Sequence, residues 1–135
     1  MDMTVKSFLR KAAIISLWMV LMPITAAAGD EALFIDQYFD LLRSGQLPRV
    51  LPLLDEPLLS QRRPLLQDNP AYADFIVSRY RSLQVEVIRV QPLDAEHSAV
   101  DLALHLEADT PPLRTRFVLR RYQDSWKLLS ETSGG

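Results

Sequence analysis

Tyr38 stands between Asp36 and Asp40, the nearest thing in this chain to an acid–base pair. A carboxylate can take a proton while a tyrosine hydroxyl donates to a developing oxyanion. The pattern also has a plainer account. Phe34, Ile35, Tyr38, Phe39, Leu41 and Leu42 recur at helical spacing, whereas Asp36, Gln37, Asp40 and Arg43 fill the other face. Tyr38 then reads as a core tyrosine and both acids as solvated. His97 and His105 are the only histidines, and there is no cysteine. A metal site wants three or more convergent ligands, so neither metal nor cofactor is expected. Thiolate chemistry is ruled out, and no G-x-S-x-G occurs. No catalytic residue is assigned. Arg62-Arg63 is a candidate for meeting an anionic head group, since guanidinium forks pair with phosphate and carboxylate.

The elements that would position these groups are readable. Residues 31–44 form a helix, with Asp30 as N-cap and Gly45 as stop. Pro48, Pro52, Pro57 and Pro64 then punctuate a leucine-rich stretch. Proline cannot sit inside a long regular helix without breaking it, so two short helices are predicted near 48–54 and 57–66, each opened by a proline. Residues after Asn69-Pro70 form a third helix to about Arg81, with Tyr72, Phe75, Ile76 and Tyr80 sharing its buried face. From Leu83 the period changes to two. Strands are predicted at 83–90, 99–108, 113–122 and 126–131, with a frayed tail from Thr132. The first slips between Val87 and Ile88, which predicts a β-bulge keeping Glu86 and Arg89 both outward.

The first 28 residues read as an address. Lys6, Arg10 and Lys11 form a positive n-region, Ala12 to Ile24 an apolar run, and Ala26-x-Ala28 a cleavage site. The run is shorter than the roughly 20 residues needed to span a bilayer. The expectation is a cleaved signal peptide, a bacterial periplasmic location, and no membrane span afterwards. The signal itself does not separate the periplasm from full secretion. Removing 28 of 135 residues leaves 107, enough for one domain. Three of the 15 basic and one of the 17 acidic residues leave with the signal, giving the remainder a net charge of −4. That balance excludes a nucleic-acid footprint. Of the 12 remaining basic residues, only Lys127 is lysine; the rest are arginine.

Pairing the second and third strands tests the reading. Setting Glu107 opposite Arg114 puts His105 against Arg116, Ala103 against Val118 and Asp101 against Arg120 on one face. Leu106 then meets Thr115, Leu104 meets Phe117 and Leu102 meets Leu119 on the other. Asp101 and Arg120 must share a face for this to stand.

Helices first, then long antiparallel strands, is an α+β order. The closing RRYQDSWKLLSE, a basic strand, a polar turn and Trp-Lys-Leu-Leu, resembles the last hairpin of the nuclear transport factor 2-like (cystatin-like roll) superfamily. The resemblance covers about residues 31–131. It implies a curved antiparallel sheet of about four strands wrapping the helices into a cone, with a ligand pocket often at the open end. Members include isomerases, cyclases, scaffold domains and periplasmic lipid carriers, so the fold alone fixes little about function.

The inward strand positions Val100, Leu102, Leu104, Phe117 and Leu119 supply no acid or base. The preferred expectation is therefore a non-catalytic periplasmic domain that binds a small hydrophobic ligand, a lipid or a protein partner. Tyr38, Leu54, Leu58, Arg62, Arg63 and Tyr72 are the candidate ligand residues, with the leucine-rich segment as lid. Ordinary core packing is the plainer account of those leucines. A homodimer or an envelope partner would use the outer sheet face, through Ala103, His105, Arg116 and Val118. The alternatives are a small isomerase or cyclase and an accessory subunit of an envelope complex. A cone filled by Phe34, Phe39, Phe75 and Phe117 would remove both pocket readings.

Overall fold

The computed structural model describes the backbone of residues 22–134 and the side chains of residues 30–134. Lys6, Arg10, Lys11 and most of the apolar run of the signal reading lie outside the described residues. The chain divides into two compact units, Met1–Asp30 and Glu31–Gly135, and the sheet, core and clefts described below belong to the second. The element order is α1 (Met22–Arg43), a 3-10 helix (Leu47–Leu53), α2 (Leu58–Asp68), α3 (Pro70–Tyr80), β1 (Gln84–Pro92), β2 (His97–His105), β3 (Leu113–Tyr122) and β4 (Ser125–Ser133). No helix among the described residues is long and apolar enough to cross a membrane.

Each helix starts or stops for a local reason. Asp30 lies inside α1 rather than at its cap, because helical backbone already runs from Met22. The helix stops at Gly45, whose φ of 75° suits glycine, and a Cβ there would meet Val77 Cγ2 at 3.0 Å. Prolines split the leucine-rich stretch as expected. Pro48 opens the 3-10 helix, and Pro57 caps α2. Asn69 caps α3 by accepting from the Tyr72 amide at 3.1 Å, with Pro70 at the first helical position.

The four strands form one antiparallel sheet in the order β1-β2-β3-β4. Val85, Val87, Val90, Val100, Leu102, Leu104, Phe117, Leu119, Trp126 and Leu128 line its inner face against the helices. Ile88 is the extra residue of the β1 bulge, so Glu86 and Arg89 both face outward, opposite Ala103 and Asp101. β4 runs on to Ser133, paired with Thr115, so the tail is ordered strand beyond residue 131.

The β2–β3 register differs from the expected one. Asp101 pairs with Arg116 rather than Arg120, Ala103 with Arg114, Ala99 with Val118 and His97 with Arg120. Arg116 therefore does not oppose His105. The physical reason is the loop. Pro111 and Pro112 have no N–H to give a ladder, and Thr110 folds back onto the Glu107 carbonyl. The connection is thus residues 106–112, longer than the four residues expected. The shift is even, so every residue stays on its expected face, and Asp101 and Arg120 both point outward.

The core is aromatic at its centre. Phe39 and Phe117 stack at 5.7 Å, and Tyr38 meets both edge-on at 5.1 and 5.4 Å. The 3-10 segment is fastened to β4 at its end. Leu54 bridges to Leu128, the Asp55 amide donates to the Leu128 carbonyl at 2.9 Å, and Arg120 meets the Asp55 carboxylate at 3.1 Å.

Candidate functional site

A second bulge decides the chemistry of the inner face. Leu119 pairs with Leu128 and Val118 with Ser130, so Leu129 is the unpaired extra residue. Beyond it the alternation is reset, and Glu131 comes opposite Phe117 on the inner face. An acid therefore stands where the inward positions read from sequence offered only apolar side chains. Unbroken alternation from Trp126 and Leu128 would have sent it outward. Leu128-Leu129 is an adjacent apolar pair like Val87-Ile88, but no apolar residue follows it in β4 to show the alternation reset, as Val90 does in β1.

Glu131 faces a cleft of about 160 Å³ lined by Tyr38, Leu42, Arg62, Leu66, Tyr72, Ile76, Tyr80 and Glu131 itself. Helix α1 supplies Tyr38 and Leu42, α2 supplies Arg62 and Leu66, and α3 supplies Tyr72, Ile76 and Tyr80. Phe34, Phe39 and Phe117 fill the centre, but Phe75 does not join them and is 55% exposed. It lies on the outer side of α3 and does not line the cleft.

Arg62 organises the polar rim. Its Nη1 donates to the Tyr38 hydroxyl at 3.2 Å and stands 2.8 Å from Glu131 Oε1. The second contact is a close salt bridge that takes one of the lone-pair positions of the carboxylate. The carboxylate thus keeps capacity to accept, and the Tyr38 O–H, accepting from Arg62, keeps its own proton to donate.

The ionisations follow from this arrangement. Burial pushes the Tyr38 phenol well above its usual range, and the Glu131 charge adds to the effect. Tyr80 is raised for the same two reasons. Burial disfavours the Arg62 charge, but Tyr38 and Glu131 outweigh it and hold its pKa above the ordinary value. A phenol that ionises less readily folded than unfolded stabilises fully below its unfolded pKa of 10.0, and that stability is lost as pH climbs above it. The unfolding free energy from urea titration should therefore fall from pH 10 upward, by no more than about 1.4 kcal/mol per pH unit for one group. Tyr38→Phe should flatten the fall; an unchanged slope would assign it elsewhere.

Among the expected ligand residues, the structure brings Tyr38, Arg62 and Tyr72 together in this cleft. It does not bring the others there. Leu54 and Leu58 are buried in the core, and Arg63 is exposed on α2. Asp36 is exposed, and Asp40 is exposed and tied to Arg43 at 2.7 Å, so neither acid partners Tyr38. The carboxylate of the site is Glu131 instead.

The outer face carries a charge ladder. Arg116 grips both Asp101 oxygens at 2.8 and 3.3 Å, and His105 meets Glu86 at 3.1 Å. The Arg116 hydrogen bond holds the Asp101 carboxyl below its usual range, assisted by the charges of Arg116, Arg89 and Arg114. Ala103 is buried beneath the longer side chains, and Val118 is half-buried. His97 is held in the β1–β2 turn by Asp94 at 2.9 Å.

No protein-family model matches this chain, and no curated protein matches it by sequence. Solved structures do resemble it. A designed nuclear transport factor 2-like protein superposes with a TM-score of 0.54 at 12% identity, covering 79% of this chain and 99% of its own. The phospholipid-binding protein from Ralstonia solanacearum, solved with a phospholipid, gives a TM-score of 0.49 at 16% identity, covering 79% of this chain and 77% of that one. The fold is nuclear transport factor 2-like.

Proposed function

We propose that this chain is an exported, periplasmic binding domain that holds a small, mostly apolar, uncharged molecule in the Tyr38–Arg62–Glu131 cleft. One observation carries the reading: an uncommitted donor, the Tyr38 O–H, and an acceptor with lone pairs to spare, the Glu131 carboxylate, line the same cleft. A ligand group that accepts one hydrogen bond and donates another fits both. An alcohol, a phenol or a primary amide does so; an anion would have to displace Glu131 from Arg62. Leu42, Leu66 and Ile76 offer apolar contact to the rest of the molecule. The volume supports a single ring or the end of one chain. An apolar cavity of about 150 Å³ is known to take benzene, whereas drug-sized ligands need about 300–1,000 Å³.

Phenol is the direct probe. It should bind in the cleft, and Tyr38→Phe should weaken it about three- to tenfold, the worth of one neutral hydrogen bond. Binding indifferent to Tyr38→Phe, or absent altogether, overturns the site. Intact mass of protein drawn from a periplasmic extract tests export: a chain starting at Gly29 supports it, and an uncut cytoplasmic chain refutes it. Native mass spectrometry of the same material would show a retained lipid or smaller ligand.

The same donor and carboxylate also favour a second reading, acid–base catalysis on a bound carbonyl compound. Its mark would be solvent deuterium appearing beside the carbonyl of a small ketone, lost in Glu131→Gln. Retention of the ketone's hydrogens leaves the binding reading alone.

A further inference from the structure

The outer sheet face holds more arginine than its acids can use. Arg89, Asp101 and Arg116 lie in one row across β1, β2 and β3, and Thr132 of β4 continues it. Arg116 takes both oxygens of Asp101, so that acid is already committed. Arg114 lies two residues along β3 on the same face, opposite the small Ala103. Among the described residues, neither Arg89 nor Arg114 has a carboxylate within ion-pair distance. Glu86 shares the row of Arg114, across Ala103, but is turned to His105 and lies outside the lining. Within the lining, three guanidiniums and one carboxylate leave two positive charges in excess. These groups, with Ile88 and Thr132, line a cleft of about 500 Å³. Ile88 is the bulged residue of edge strand β1 and is 42% exposed, which gives the cleft an apolar lip.

We propose that this cleft is an anion site, separate from the Tyr38 cleft, that takes a phosphate or phosphate-monoester dianion through Arg89, Arg114 and Arg116. Arg89, Arg114 and Arg116 concentrate positive charge on one exposed patch, and an anion held among them would meet all three guanidiniums at once. A carboxylate brings one charge, which leaves half the excess. A phosphate monoester brings about −1.5 to −2 and three acceptor oxygens, matching both the charge and the guanidinium donors. A two-fold dimer through this face would set the two excesses against each other, so the cleft disfavours that arrangement without a bridging anion.

Titration with inorganic phosphate, followed through the arginine Nε–H resonances of the purified protein, tests the site. Shifts should be confined to Arg89, Arg114 and Arg116. Arg114→Ala should weaken binding about tenfold or more, as loss of charged hydrogen bonds does. Arg49→Ala removes the same charge elsewhere and should change nothing. Acetate should bind at least about tenfold more weakly than phosphate. Vesicles of phosphatidate in phosphatidylcholine, against phosphatidylcholine alone, identify the source: recruitment lost in Arg114→Ala points to a lipid head group, and its absence with phosphate still bound points to a free phosphate. Equal phosphate affinity in Arg114→Ala and Arg49→Ala, or equal affinity for acetate, overturns the proposal.

Discussion

Phe117→Ala should destabilise the domain by about 3–5 kcal/mol, enough to consume much of the stability of an ordinary small domain. Phe117 has no exposed surface. It stacks on Phe39 and receives the edge of Tyr38, so its loss opens a void between the sheet and α1. The surrounding groups cannot close that void easily, because Val100 and Glu131 are fixed beside it by strand pairing. A urea titration followed by tryptophan fluorescence measures the effect. A cost below about 1 kcal/mol would mean that the centre can collapse around the missing ring, and that the stacked core described above is not what holds the sheet to the helix.

Arg62→Ala should cost less in total but should be more telling. It removes the only donor to the Tyr38 hydroxyl among the described residues and leaves the Glu131 carboxylate facing the cleft without its counter-charge. Both side chains of the ion pair keep some solvent contact, 30% and 21%, so solvent screening limits the penalty to roughly 1–2 kcal/mol. The diagnostic variant is the double one. Arg62→Ala with Glu131→Leu removes both charges and fills part of the cleft, and it should recover most of the lost stability. It should also lose phenol binding, since the acceptor is gone. A double variant as unstable as the single one would show that Arg62 acts through packing of its stem instead of through Glu131.

The sequence was most legible where the pattern is local. Helical spacing located Tyr38 on a buried face, the prolines divided the leucine-rich stretch, and the slip at Ile88 marked one bulge. Faces were legible as well, because side chains alternate with a period of two. Register was not, and for the same reason. Any even shift preserves every inside and outside assignment, so the facial test accepted Asp101 opposite Arg120 as readily as the true Asp101–Arg116 pair. Only the loop distinguishes them, and Pro111-Pro112 contributes residues to the connection that a strand pattern cannot count.

The candidate site was half legible. Tyr38, Arg62 and Tyr72 come from three separate helices, and nothing in their spacing says that they converge. Glu131 was illegible because its face depends on an irregularity at Leu129, one residue after the last buried leucine. Phe75 misled through composition: an aromatic on a helix with Tyr72 and Ile76 reads as core, yet the helix presents only a narrow stripe inward.

The Leu129 bulge makes the cleft depend on counting as well as on composition. Were the bulge to close with all its residues kept, Ser130 would fall opposite Phe117 and Glu131 opposite Arg116, on the far side of the sheet. Were Leu129 deleted, a plain ladder would keep Glu131 inside. The site is thus sensitive to parity: the acid changes sides when the bulge is lost but its extra residue is not, and it stays when both go together. Substitution of Leu129 itself would leave that switch untouched.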